Sequence, residues 1–258
     1  MRLHRYYMLF VGRAATSSRS TGFVRRLGYA AVALAASSIA SPAQDRPACT
    51  EDVMLVFDAS GSMSGNGWGY GSENPKAVSR IDKVRIALAK VLPRIARGRR
   101  VGLMTYGPGP YQQCNVELNS PPLDNNAERI MAAVKGLTPA GQTPLSSAVE
   151  QAAEVLEFRT RPGVIVALTD GEETCGGSPC ALGKKLHEEA MQITVHIIGL
   201  RVKGLSWTGE QNVLDTKCLA EENGGLYIPV ESEEELVSAL EKTLGCPILS
   251  RNYINDVP

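Results

Sequence analysis

Asp58-Ala59-Ser60-Gly61-Ser62 sets one carboxylate and two hydroxyls at alternate positions along the chain. In an extended turn such side chains converge on one point, and oxygen donors of low total charge suit a hard cation. Mg²⁺ fits best, since it takes about six oxygens and keeps some of its waters; Mn²⁺ and Ca²⁺ belong to the same donor class. Asp170, in Thr169-Asp170-Gly171, offers a second carboxylate, and Thr143, in Gly141-Gln142-Thr143-Pro144, a fifth oxygen. No nucleophile–base pair accompanies these residues, the three histidines lie elsewhere in the sequence, and no Gly-x-x-x-x-Gly-Lys-Ser/Thr phosphate loop is present. A catalytic role is therefore not expected.

These groups need rigid elements to present them. Val53 to Asp58 and Gly163 to Asp170 are continuous apolar runs ending in the two aspartates, as strands buried on both faces should be. In an open α/β sheet, ligands bind at the carboxyl ends of strands, so Asp58 and Asp170 are neighbours if their strands are. Apolar residues from Ile81 to Ile95 recur at helical spacing, with Gly98 ending the helix, and Leu145 to Leu156 repeat the pattern. The remaining strands are expected over Val101–Tyr106, Cys114–Leu118 (short), Ile193–Leu200 and Leu226–Val230. Helices are expected over Asn125–Lys135, from Ser178-Pro179 through Gln192, over Gln211–Asn223, and after the Ser232/Glu235 capping box. This alternation predicts a single α/β, Rossmann-like domain with a central, mostly parallel six-stranded sheet flanked by helices on both faces.

The combination Asp58-x-Ser60-x-Ser62, Gly-Gln-Thr143-Pro-Leu and Thr-Asp170-Gly resembles the complete metal-ion-dependent adhesion site of von Willebrand factor A domains, over about residues 52–244. The resemblance implies that Ser60, Ser62 and Thr143 ligate a divalent ion through hydroxyls, and that Asp58 and Asp170 ligate it directly or through water. It also implies a vacant coordination position that an Asp or Glu of a partner protein fills. Neutral hydroxyl ligands leave the ion electrophilic enough to capture that carboxylate. The segment Gly-Glu-Glu-Thr-Cys-Gly-Gly-Ser-Pro-Cys resembles a bacterial exported subgroup of the family. Two rival functions fit the same residues: a metal-dependent hydrolase, and an assembly factor whose metal only stiffens loops. Glu172 and Glu173 are expected to be exposed at the rim, and Trp68 and Tyr70, in the Gly-rich stretch Ser64–Ser72, either contact a partner or cover the first helix.

Residues 1–43 read as an export signal: Arg25-Arg26 precedes the apolar run Leu27–Ala36, and Ser38-Ile39-Ala40 and Ser41-Pro42-Ala43 offer cleavage sites. Residues 44–51 then form a linker, 52–246 the domain and 247–258 a tail. Export to the periplasm or outside the cell is the expectation. The full chain has 27 basic and 27 acidic residues; without the six arginines of residues 1–43, the balance is −6. An acidic domain has no electrostatic reason to seek nucleic acid or anionic lipid. No apolar run reaches the ~20 residues of a membrane-spanning helix. The sequence identifies neither the partner nor the oligomeric state.

Six cysteines in an exported chain are disulfide candidates: Cys49, Cys114, Cys175, Cys180, Cys218 and Cys246. A Cys49–Cys246 bridge would clasp the domain's two ends, as in some members of the family. For the other four, a local Cys175–Cys180 bridge would leave Cys114 with Cys218, and crossed pairings are equally legal. Cys175, Cys180, His187 and Cys218 also offer zinc-type ligands, which an oxidising compartment disfavours. His196, in an apolar strand, is expected to be a hydrogen-bonded core residue. The four arginines of Arg94–Arg100 are expected to form a solvated face.

Overall fold

A computed structural model describes residues 51–65, 78–109, 113–200 and 209–245. Residues 1–43, expected to be an export signal, together with Trp68, Tyr70, both cysteines of the expected Cys49–Cys246 bridge and residues 247–258, lie outside the described residues. The strands are β1 (Asp52–Asp58), β2 (Val101–Tyr106), β3 (Val116–Leu123), β4 (Pro162–Thr169), β5 (Gln192–Leu200) and β6 (Tyr227–Val230). They form one sheet in the order β3-β2-β1-β4-β5-β6, parallel except for β3, which runs against β2. β1 is thus central and buried throughout. Phe57 pairs with Thr105 on one side and Leu168 on the other, so the chain leaves β1, β2 and β4 at one level.

Alternation along β1 splits its side chains between two cores. Val53, Leu55 and Phe57 pack with α1 (Arg80–Gly98), α2 (Ala127–Gly136) and α6 (Glu233–Leu244). Met54 and Val56 pack with α3 (Leu145–Val155), α4 (Pro179–Glu189) and α5 (Gly209–Glu222). The apolar runs of β1 and β4 are continuous because both faces of the sheet are covered.

Two boundaries differ from expectation. β3 extends to Leu123 and includes Pro121 and Pro122. Proline donates no ladder hydrogen bond, which an edge strand tolerates, and the pairing with β2 is irregular there. α4 stops at Glu189, and Gln192 opens β5. A Cys180–Cys218 disulfide ties α4 to α5.

The arginine run is not uniformly solvated. Arg94 pairs with Glu241 at 2.6 Å and Arg100 with Asp52 at 3.1 Å, but Arg99 is 6% exposed. Its Nε donates to Glu51 O at 3.0 Å, and its Nη1 to Leu244 O at 3.1 Å and Gly245 O at 3.4 Å. One guanidinium therefore binds the entry to β1 and the exit from α6, where orphan carbonyls of a helix end need a donor. His196, half-buried beside it, accepts from Leu226 N at 3.0 Å through Nδ1. Burial, with the charges of Arg99 and Lys242, pushes it down to about 4, so it is neutral at physiological pH. Replacing Arg99 by Leu leaves these carbonyls unsatisfied and should lower unfolding free energy by about 2–4 kcal/mol. Urea denaturation reads this directly; a loss below about 0.5 kcal/mol would show that the clasp is dispensable.

Candidate metal centre

Asp58 ends β1 and is fully buried. Its Oδ1 accepts from Ser60 N at 2.7 Å, which turns the chain sharply after the strand. Its Oδ2 accepts from Thr169 Oγ1 at 3.2 Å and from Asp170 N at 3.4 Å, tying the ends of β1 and β4 together. A short 3₁₀ turn, Gly61–Ser64, follows, anchored by the fully buried Met63. The turn brings the two serine hydroxyls within 3.0 Å of each other, and Ser62 Oγ donates to Asp170 Oδ1 at 2.6 Å.

The Thr143 loop joins through the backbone. Gly61 N donates to Gly141 O at 2.9 Å, and Gly141 N to Gly107 O at 2.7 Å. Thr143 N donates to Thr174 Oγ1 at 2.8 Å while Thr143 O accepts from Thr174 N at 3.1 Å. A methyl placed on Gly171 would lie 3.8 Å from Ser62 Oγ and 3.9 Å from Thr143 Oγ1, so the two hydroxyls flank the bare backbone after Asp170. Asp58, Ser60, Ser62, Thr143 and Asp170 therefore meet at the carboxyl ends of β1 and β4. Ser62 is the exposed member; Asp58, Ser60, Thr143 and the Asp170 side chain are buried.

The electrostatics are those of a site short of positive charge. Burial raises the Asp58 carboxyl, opposed by hydrogen bonds from Ser60 and others. Burial and the nearby Asp58 charge push Asp170 up to about 7, against the opposing donors Ser62 and Arg80. Two buried carboxylates and three hydroxyl oxygens suit a hard divalent ion, which would relieve both penalties. Among the described residues no group of three or more His, Cys, Asp or Glu could hold a metal ion; the set here is a mixed one, two carboxylates with three hydroxyls.

Several residues that hold the site escaped the sequence pattern. Gly107 has φ +71, and a Cβ there would meet Gln142 O at 2.4 Å and Ser60 Cα at 2.8 Å, so only glycine lets the three loops close. Glu173 is not a free rim charge: it accepts from Ser146 N at 2.8 Å and Cys175 N at 2.9 Å, capping the first turn of α3. Glu172 is exposed, as expected. Cys175 pairs with Cys114, not with Cys180, which binds the loop after Asp170 to the strand-side loop whose Gln113 O accepts from Gln142 N. The two pairings engage all three cysteines of the disfavoured zinc alternative, and His187 is exposed on α4.

A von Willebrand factor type A domain model matches residues 53–173, a span that holds all five oxygen donors. The chain is 30% identical over 236 residues to the uncharacterized protein YwmD of Bacillus subtilis (strain 168), covering 82% of this chain and 93% of YwmD. YwmC of the same organism is 27% identical over 195 residues, covering 72% of this chain and 79% of YwmC. Among solved structures, the PilB minor pilin of Streptococcus sanguinis superposes with a TM-score of 0.55 at 17% identity, over 79% of this chain and 62% of the pilin. That last likeness is one of fold.

The carboxyl pair has a pH signature. Because Asp170 is raised from 3.8 to about 7, the folded chain without metal holds a proton that the unfolded chain has lost across that window. Stability should therefore fall as pH rises from about 4 to 7, the reverse of an aspartate whose partners hold its carboxyl below the usual range. In EDTA, the urea midpoint should drop between about pH 5 and pH 8, and Asp170→Asn should flatten the drop. Identical profiles for the two proteins would contradict the assignment.

Proposed function

We propose that this chain, which belongs to the von Willebrand factor type A domain family, is a binding module that holds a divalent cation and uses it to capture a partner protein through a carboxylate. What supports the reading is the convergence of five oxygen side chains from three separate loops on one partly exposed point. The ion, Mg²⁺ in the first instance, supplies a coordination position that an Asp or Glu of the partner fills.

The chain's own residues divide the remaining work. Ser60, Ser62 and Thr143 offer neutral hydroxyls to the ion. Asp58 has both oxygens engaged by Ser60 N, Thr169 and Asp170 N, which suits it to orienting the loop and holding the ion's waters. Asp170 fixes the Ser62 hydroxyl through Oδ1. Exposure of Ser62 leaves the partner an approach to the site. An enzymatic role is not part of the reading: of the two described histidines, His187 is exposed on α4 and His196 lies near Arg99 at the opposite end of the sheet.

Two disulfides among the described residues accord with a chain that works in an oxidising compartment, and no described helix is long and apolar enough to cross a membrane. Export to the periplasm or the cell exterior completes the proposal, with the partner's identity left to experiment. Calorimetric titration of Mg²⁺ into chelator-stripped protein should show one site, weakened about tenfold or more in Thr143→Ala. Immobilised wild type should retain an envelope protein in Mg²⁺ that is released by EDTA and not retained by Thr143→Ala. Metal uptake without any EDTA-sensitive partner would favour the loop-stiffening role instead.

A further inference from the structure

Arg80 occupies the first position of α1, where a cation opposes the helix dipole. Ser79 and Asp82 already complete the cap there: Ser79 Oγ accepts from Asp82 N at 3.3 Å and donates to Asp82 Oδ2 at 2.6 Å. Arg80 reaches away from the helix instead. Its Nη1 donates to Ser62 O at 2.7 Å and to Asp170 Oδ2 at 3.0 Å. The guanidinium side chain is 11% exposed and the Asp170 side chain fully buried. A Cβ on Gly65 would lie 2.9 Å from the same Nη1, so the end of the 3₁₀ turn closes over it. Local rules are broken mainly at functional or strained sites, and Arg80 touches two segments of this one.

We infer that Arg80 is an internal counter-cation that sets how the centre divides its affinity between the metal ion and the partner's carboxylate. The inference rests on the metal-dependent binding reading. Asp58 and Asp170 together carry −2 when ionised, and Arg80 reduces this to −1. A divalent ion then leaves a net charge of +1, which one incoming carboxylate cancels. Without Arg80 the two aspartates alone would neutralise the ion, and the partner's carboxylate would meet a neutral centre. Arg80 thus weakens retention of the ion and strengthens capture of the ligand. Through Ser62 O and Asp170 it also holds two of the three donor loops together before the ion arrives. Arg80 is a positioning residue, acting through Asp170.

Because the ion and guanidinium share one carboxylate in a partly buried medium, removing the guanidinium should strengthen ion binding by about one to two orders of magnitude. The test titrates MnCl₂ by calorimetry into the chelator-stripped full chain as wild type, Arg80→Gln and Arg80→Lys. Arg80→Gln should bind Mn²⁺ about tenfold or more tighter than wild type, yet melt at lower temperature in EDTA. Arg80→Lys, which keeps the charge, should stay within about threefold of wild type. Acetate, a free carboxylate, should displace water from the Mn²⁺-loaded Arg80→Gln protein less readily, as read by water-proton relaxation. Arg80→Met removes the charge while keeping an apolar stem and gives the same reading should the Gln variant fail to fold. A folded charge-removal variant that binds Mn²⁺ no tighter than wild type overturns this inference alone, since a merely structural arginine would leave affinity unchanged or lower it. Absence of Mn²⁺ uptake in wild type and variants alike overturns the metal-binding reading as well.

Discussion

Two carboxylates, Asp58 and Asp170, are buried side by side where β1 and β4 end, and the rest of the site is arranged around their unmet charge. Neighbouring anions out of water raise each other's proton affinity, and each can be neutralised only by protons, protein donors or a cation. The chain supplies several donors: Ser60 N, Thr169 Oγ1 and Asp170 N on Asp58, and Ser62 Oγ and Arg80 Nη1 on Asp170. Even so, burial keeps Asp170 at about 7. A fold that maintains this arrangement carries a cost that a divalent ion would remove. The same balance explains why hydroxyls, not further carboxylates, complete the set: they add oxygens without adding charge.

The arrangement survives only because its three loops cannot drift apart. The parallel pairing of β1 with β2 and β4 sets the chain exits at one level, and Gly107 allows the Thr143 loop to lie directly against Ser60. Reciprocal bonds between Thr143 and Thr174 bring in the chain after Asp170, and Cys114–Cys175 locks that segment covalently. At the far end of the sheet Arg99 performs the corresponding service for the domain's entry and exit. Rigid supports at both ends suit a centre whose donors must keep their places with or without an ion.

Much of this was legible in the sequence because it depends on local pattern. The apolar runs ending in Asp58 and Asp170 announce buried parallel strands, and the alternation of helix and strand fixes the sheet type. The five oxygen donors stand out by residue type and by their places at strand ends. What was not legible depends on distance in sequence. Arg80 lies 90 residues from Asp170, and nothing in its helical context signals an ion pair. Glu173 looks like a surface acid until Ser146 N is placed beside it. The cysteine pairing was open because Cys175 has both Cys180 nearby in sequence and Cys114 nearby in space. Gly107 appears as one glycine among 25, and its positive φ belongs to the packed loops alone. The edge position of β3, which permits Pro121 and Pro122 within a strand, is likewise a property of the sheet.

X-ray diffraction from crystals of the full chain grown with MnCl₂, with anomalous scattering used to place the metal, decides whether these oxygens hold a divalent ion. One strong anomalous peak is expected among the Ser60, Ser62 and Thr143 hydroxyls, facing Asp58 and Asp170. No peak there at saturating Mn²⁺, or a peak only at another place on the molecule, would contradict it.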